Sequence, residues 1–315
     1  MHSRDFLARD AGLMQPAPRS DFRAREEPYS LREGVRPLVI LGAARSGTKF
    51  LRQLLATSSA CVAVTHGLNH VWRPTAHQHP HDTVLPDSYT PAARRSIRKT
   101  ILRLSEYHAA PNARFVIERT CANTLRLPAV HAVLPDARYV HIVRDGRDVA
   151  ASAWEQWSQS PSLLHQLRKL ISAPRAGWRY ATRQLADRSL RTSVSTGWGP
   201  HYPGMEQDMR QYATAEVCGL QWAACVEACQ DGLVSLVPAS RALTIRYERL
   251  VTDPDTVQAL CQFIDLPDSL AVLNRYRRTV RADSIGRWKR TFDPPTMQRV
   301  HSHIKATLQR LNYPV

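Results

Sequence analysis

The chain has 315 residues, 43% of them apolar, enough to bury one large core without forcing a second domain. Its formal net charge of +16 is spread along the whole length. With none of the usual nucleic-acid motifs present, that charge favours an anionic cofactor, acceptor or membrane surface over a dedicated nucleic-acid reader.

Met1 to Gly34 is charged and proline-bearing without an apolar period, which predicts a loose basic arm over residues 1–34 ahead of one domain over 35–315. Four apolar residues, Leu38–Leu41, then read as a buried parallel strand. Gly42 and Gly47 bracket a small-residue turn, and Phe50, Leu51, Leu54 and Leu55 recur at helical spacing. Strand, small-residue loop and helix together aim backbone N–H groups and a helix N-terminus at an anion. Arg45 and Lys49 add positive charge to the same loop. A nucleotide-triphosphate loop would read G-x-x-x-x-G-K-[ST]. Here Thr48 precedes Lys49, which turns the lysine about 100° around the helix axis, so the usual roles do not transfer.

Cys61–Thr65 reads as a second strand, followed by His66, Asn69, His70 and Trp72. His77, His79 and His81 could hold a metal if extended, but Pro80 and the lack of a further spaced ligand favour a solvated loop. A helix around Ala92–Tyr107 is apolar at Ile97, Ile101 and Leu104 and basic elsewhere. The third strand, Arg114–Glu118, ends on a carboxylate beside Arg119, placed either for chemistry or for a loop-shaping ion pair. Helix Thr124–Leu134 follows.

The fourth strand, Arg138–Val143, runs into Arg144-Asp-Gly-Arg-Asp148 and a helix with Ser152 two turns in. An arginine fork plus a hydroxyl suits a phosphate monoester, although the same five residues could form a surface turn of ion pairs. Residues 155–212 are aromatic and basic, with an apolar stripe at Leu163, Leu164, Leu167, Leu170 and Ile171. Such a stretch can pack on the sheet, lie on a membrane or cap an acceptor pocket. Helix Ala213–Leu233, strand Ala242–Arg246 and helix Thr296–Leu311 complete the pattern. Strands alternating with helices predict an α/β fold, three α/β/α layers around a central, mostly parallel five-stranded sheet. Gly42–Thr48, Thr65–His70, Glu118–Asn123, Arg144–Arg147 and Tyr247 then share the carboxyl-end rim, where such sheets bind ligands.

The six cysteines (Cys61, Cys121, Cys218, Cys225, Cys229, Cys261) lack the paired spacings of a zinc site. Cys218, Cys225 and Cys229 fall on one helical face, as core residues do. No apolar run approaches the roughly 20 residues of a membrane span, and no signal peptide opens the chain. A cytoplasmic location is expected, with peripheral membrane contact through the basic amphipathic stretch as an open alternative.

Ala44-Arg45-Ser46-Gly47-Thr48-Lys49-Phe50 resembles the 5′-phosphosulfate loop of sulfotransferases, P-[KR]-S-G-T-x-[WF], with Ala44 in place of proline. Arg144 through Ser152 match the family's R-[ND]-[PG]-[KR]-D-V-x-x-S at every specified position. Tyr247-Glu248 with Asp253-Pro254 resembles its R-Y-E-D-L-x-x-D-P exit, with Arg249 for aspartate. Arg281-Ala-Asp-Ser-Ile-Gly286-Arg-Trp288-Lys289 resembles its R-K-G-x-x-G-x-W-K segment, with Ala282 and Asp283 departing from the pattern. Four motifs in order, covering most of the chain outside the arm and residues 155–212, identify a resemblance to bacterial-type sulfotransferases that use 3′-phosphoadenosine 5′-phosphosulfate (PAPS, product PAP).

The resemblance implies a P-loop-like fold and transfer of a sulfuryl group to a hydroxyl or amine of a glycan, lipid or small molecule, with no metal and no nucleic acid. It implies cofactor contacts from Arg45, Ser46, Gly47, Thr48, Lys49, Phe50, Arg144, Ser152, Tyr247 and Arg281. Arg45 and the Ser46–Lys49 amides would stabilise charge growing on the leaving oxygen. Arginine keeps its proton, so this role is electrostatic. The acceptor also needs a base. The histidine of the family's K-T-H segment is absent from Arg119-Thr120-Cys121, leaving His66 or Glu118, with His70 a further candidate. Two rival readings are a P-loop kinase or NTPase with Asp145 on magnesium, and a PAP-binding module without turnover.

Overall fold

A computed structural model describes residues 31, 34–73, 80–158 and 198–315. The expected arm, His77 and His79, and the Leu163–Ile171 stripe lie outside the described residues. Five strands form one sheet in the order β2-β3-β1-β4-β5: β1 Arg36–Leu41, β2 Cys61–Ala63, β3 Phe115–Glu118, β4 Arg138–Val143 and β5 Ala242–Arg246. All four pairings are parallel, so the expected mostly parallel sheet is parallel throughout. The central strand β1 is buried from Pro37 to Leu41, as its unbroken apolar run requires.

Helices cover both faces. On one, α1 (Thr48–Leu55), α6 (Pro254–Phe263) and α7 (Ser269–Thr279) bury Leu51, Leu54, Val257, Leu260 and Val272 against Leu38, Ile40, Val140 and Ile142. On the other, α4 (Gly146–Ser158), α5 (Thr214–Leu236) and α8 (Pro294–Arg310) enclose Val143, Val149, Trp222, Val226, Val300 and Ile304. Two further helices, α2 (Pro91–Leu104) and α3 (Leu127–Val133), flank β3 in sequence. Cys218, Cys225 and Cys229 are buried in α5, in agreement with their reading as core residues.

The helix starts are written in the sequence. Thr90 accepts from the Ala93 amide with Pro91 behind it, and Asp293 does the same for Thr296 ahead of α8. Asp253 caps α6 by accepting from Asp255, so Asp253-Pro254 is a cap followed by a first-turn proline. Among the boundaries that differ from expectation, three have a local cause. Strand β2 ends at Ala63 rather than Thr65, where the chain turns toward His66. Helix α2 stops at Leu104, because Glu106 adopts a left-handed φ of 55°. The expected helix Thr124–Leu134 is a 3-10 segment, Cys121–Arg126, until Pro128 opens the α-helical turn of α3.

Candidate active site

The five strand exits lie side by side along one rim, and side chains or backbone tie each neighbouring pair together. The Leu68 amide after β2 donates to Thr120 Oγ1 after β3 at 2.7 Å. Thr48 Oγ1, at the start of α1, sits 3.7 Å from Cys121 Sγ after β3. Arg144 Nη1, after β4, donates to the Arg45 carbonyl at 3.2 Å. The Asp145 amide, after β4, donates to Glu248 Oε1 after β5 at 2.9 Å, and Tyr247, also after β5, reaches across to place its ring against Gly47.

The β1 exit is the centre of this arrangement. Arg45 and Gly47 take φ values of 75° and 96°, so the loop turns its backbone tightly, with Ser46 N on Ala43 O at 3.1 Å. For a β-carbon-bearing arginine this left-handed conformation is strained, of the kind retained at ligand sites. Gly47 is the N-cap of α1, with no side chain capping the first amides and no acidic residue in the first turn. Those amides and the helix dipole therefore favour an anion.

Two arginines and a serine converge on the loop. Arg45 Nε donates to Ser152 Oγ at 2.9 Å, joining the β1 loop to α4. Loss of water around the Arg45 guanidinium, then the charges of Arg287 and Arg144, push its pKa down from the usual arginine range. Arg144 is buried between Asp148 Oδ2 at 3.5 Å, the Ser284 carbonyl and the Tyr247 ring, whose centroid lies 4.5 Å from its guanidinium carbon. Trp222 Nε1 donates to the Arg144 carbonyl at 3.1 Å and fixes the strand end. Two buried polar atoms in this cradle have no hydrogen-bond partner, Ser46 Oγ and Arg144 Nε. Such atoms are costly in an apolar interior, and a polar ligand would satisfy them.

A model of the sulfotransferase family matches residues 37–196, half of the chain, including the loop, Glu118 and all of Arg144–Ser152. The chain belongs to the sulfotransferase family. Among solved structures it is similar to a sulfotransferase domain from the curacin biosynthetic pathway (15% identity over 89% of this chain and 99% of that one, TM-score 0.48). It is also similar to a sulfotransferase from Mycobacterium avium (12%, 90% and 79%, TM-score 0.48) and to a mouse sulfotransferase complexed with PAP (12%, 87% and 85%, TM-score 0.44). No curated protein matches the chain.

In this sulfotransferase family member the remaining expected site residues are more dispersed. Lys49 is exposed on the first turn of α1, while Phe50 packs against the core under α1. Arg281 is exposed, and among the described residues no hydrogen bond or ion pair ties it down. His66 is exposed on the β2 exit, its Nδ1 3.1 Å from Thr65 Oγ1, and His70 is exposed one turn further on.

Glu118 is 1% exposed. Its Oε1 accepts from Trp72 Nε1 at 3.2 Å and from Thr120 Oγ1, and its Oε2 accepts from Asn123 Nδ2 at 2.9 Å. Burial pushes its pKa up against these donors. The carboxylate belongs to a buried polar network that the sequence does not announce. Arg126, fully buried, donates to Asn123 Oδ1 at 3.0 Å and to Asn69 Oδ1, and lies 3.9 Å from Asp82. The Asp82 amide donates to the His201 carbonyl at 2.7 Å, Asp82 Oδ2 accepts from the His201 amide at 2.8 Å, and Asp82 Oδ1 is also 3.4 Å from Arg73. The network fastens the β3 exit to Asn69, Trp72 and Asp82 and, through Asp82, to His201 within the stretch that the family motifs leave unmatched.

Several site residues were not legible as such. Ser284 holds Tyr247 through Oγ···Oη at 2.7 Å, and Arg287 stands near enough to Arg45 to perturb it. Asp148 and Glu155 occupy one face of α4 and both bind the Ser284–Thr291 region. Their i, i+7 spacing opposite the basic run Arg281–Lys289 was the available signal. The Arg144–Arg147 turn does contain ion pairs, Arg147–Asp145 at 2.7 Å and Arg144–Asp148. Asp145 is thus committed to Arg147, whose pKa its hydrogen bond raises. No group of three or more His, Cys, Asp or Glu among the described residues is placed to hold a metal. No helix among them is long and apolar enough to cross a membrane.

Proposed function

We propose that the chain transfers a sulfuryl group from PAPS to a hydroxyl or amine of a glycan, lipid or small-molecule acceptor. The observation that carries this reading is the pair of buried, unbonded polar atoms, Ser46 Oγ and Arg144 Nε, in one cradle between the β1 and β4 exits. A single phosphate would need only one such place; a donor with a phosphosulfate and a 3′-phosphate needs two.

PAPS, when bound, supplies the transferable sulfuryl group. The Ser46–Lys49 amides and Ser46 Oγ would hold its 5′ side at the open N-terminus of α1. Arg45, aimed by Ser152, would hold its charge toward the leaving oxygen. Arg144 and Ser152 would hold the 3′-phosphate, with Tyr247 as the wall beneath them. Arg281 and Lys49 would add charge from the rim, and Phe50 and Thr48 would fix the helix that presents the amides.

For the base, the geometry favours His66 over Glu118. Three donors already occupy the two Glu118 oxygens, and the carboxylate is shut away from solvent. His66 stands exposed on the adjacent exit. The reading is tested by calorimetric binding of PAP and of ATP, without magnesium, to wild type and Arg144→Ala. Micromolar or tighter PAP binding that collapses in the variant supports it. ATP binding as tight as PAP and indifferent to Arg144 returns the loop to the NTPases. PAP binding with no turnover on any acceptor leaves a binding module.

A further inference from the structure

Helix α4 uses one face for three tasks. Ser152 aims Arg45, and on either side of it Asp148 and Glu155 grip the segment that follows α7. Asp148 is 1% exposed and gives each oxygen to a different backbone amide: Oδ2 accepts from Gly286 N at 2.9 Å and Oδ1 from Trp288 N at 3.1 Å. Glu155 accepts from Arg287 Nε at 3.0 Å and from its Nη2, and takes Thr291 Oγ1 at 3.4 Å. Apart from Trp288, which packs against the core at its far end, the segment has little apolar packing of its own: Arg281, Ala282, Asp283 and Ile285 are exposed. Ahead of Trp288, polar bonds to α4, Arg144 and Tyr247 therefore hold it down, and water can compete for them.

We propose that Asp148 is a positioning residue that clamps the Ser284–Trp288 backbone over Arg144, so that nucleotide affinity depends on closure of this segment. The inference rests on the reading of the cradle as the PAP(S) site and adds to it a residue that touches no ligand. Arg144 is shared between the two halves of the device, since its Nη2 meets both the Ser284 carbonyl and Asp148 Oδ2. An anion taking the unbonded Arg144 Nε meets an arginine whose Nη2 is already set by the closed segment and whose Nη1 is held on the Arg45 carbonyl. When only a fraction of molecules is closed, apparent affinity falls by that fraction. Because the clamp grips amides, it acts whatever side chains stand at Ala282 and Asp283.

Hydrogen exchange of the full chain, with and without PAP, tests this alongside calorimetry on wild type and Asp148→Asn. The asparagine keeps one carbonyl acceptor but cannot take both amides, and it removes the charge facing Arg144. The expected result has three parts: PAP slows exchange across 284–290 in wild type, the variant exchanges faster there with α1 unchanged, and its PAP affinity drops about tenfold. Wild-type affinity in a variant with a loosened segment overturns the proposal, as does a segment whose exchange ignores PAP in wild type. If Asp148→Asn fails to fold, Glu155→Gln loosens the same segment through Arg287, with an expected loss of about threefold. Unchanged PAP affinity there is equally fatal. Failure of wild type to bind PAP at all refutes the nucleotide reading itself, and is seen without any variant.

Discussion

The Tyr247 ring lies so close to Gly47 that a β-carbon at residue 47 would come within 2.5 Å of Cδ2. Gly47 also holds a φ of 96°, a conformation that L side chains rarely adopt. Gly47→Ala therefore meets two penalties, about 1–2 kcal/mol from the backbone alone and a displaced Tyr247 in addition. The expected outcome is a lower urea midpoint together with loss of PAP binding, because the moved ring no longer backs Arg144.

Ser46→Ala separates a ligand site from a structural one. The Ser46 hydroxyl is buried without a partner, so its removal leaves thermal stability of the free protein unchanged or slightly raised. PAP affinity is expected to fall about tenfold, as for one hydrogen bond to a charged group. A stability loss with unchanged PAP binding would place that hydroxyl outside the nucleotide site.

His66 and Glu118 should respond in opposite ways. His66→Gln is expected to abolish most turnover while leaving the melting temperature in place, as for an exposed general base. Glu118→Gln turns an NH2 toward a donor, Asn123 Nδ2 or the Trp72 and Thr120 pair, and should cost about 1–3 kcal/mol of stability. Its folded fraction should keep the wild-type rate. The check is turnover per folded molecule, measured beside the thermal melt.

His141 gives the fold a pH dependence. It lies fully buried in β4 with neither ring nitrogen bonded, and burial pushes its pKa down to about 4. The unfolded chain takes up this proton near pH 6.5 and the folded protein does not. Stability is therefore complete above about pH 6.5 and declines as the pH falls toward 4, on the order of 3 kcal/mol for this group. His141→Leu should be as stable as wild type at pH 8 and lose less between pH 7 and 5. The difference between the two urea curves isolates His141 from Glu118, whose burial acts in the opposite direction.

The strands and the rim were legible because short apolar runs, parallel pairing and exit position follow from local pattern. Arg144 and Ser152 were legible for a related reason: a strand end and a helix turn fix them within nine residues of chain. The long-range contacts were not. Asp148 reads as one residue of a turn until Gly286 and Trp288 come beside it. Arg126 reads as a helix residue until Asn69 and Asp82 close around it. Glu118 looked equally suited to chemistry and to loop shaping, and only its three donors weigh toward the second. Arg281, chosen from a motif, is exposed, while Arg287 six residues on stands beside Arg45.

The strand order has a consequence for how the chain reaches this state. Leu38, in the middle of the sheet, pairs with Ile117 on one side and Arg138 on the other. The strand with the longest apolar run is thus made first and stays without partners until both have been synthesised. Parallel pairings over such separations fold slowly and leave an aggregation-prone edge exposed meanwhile. Recovery of this protein after dilution from denaturant should accordingly fall steeply with concentration, and holding chaperones should raise its yield more than they raise its stability.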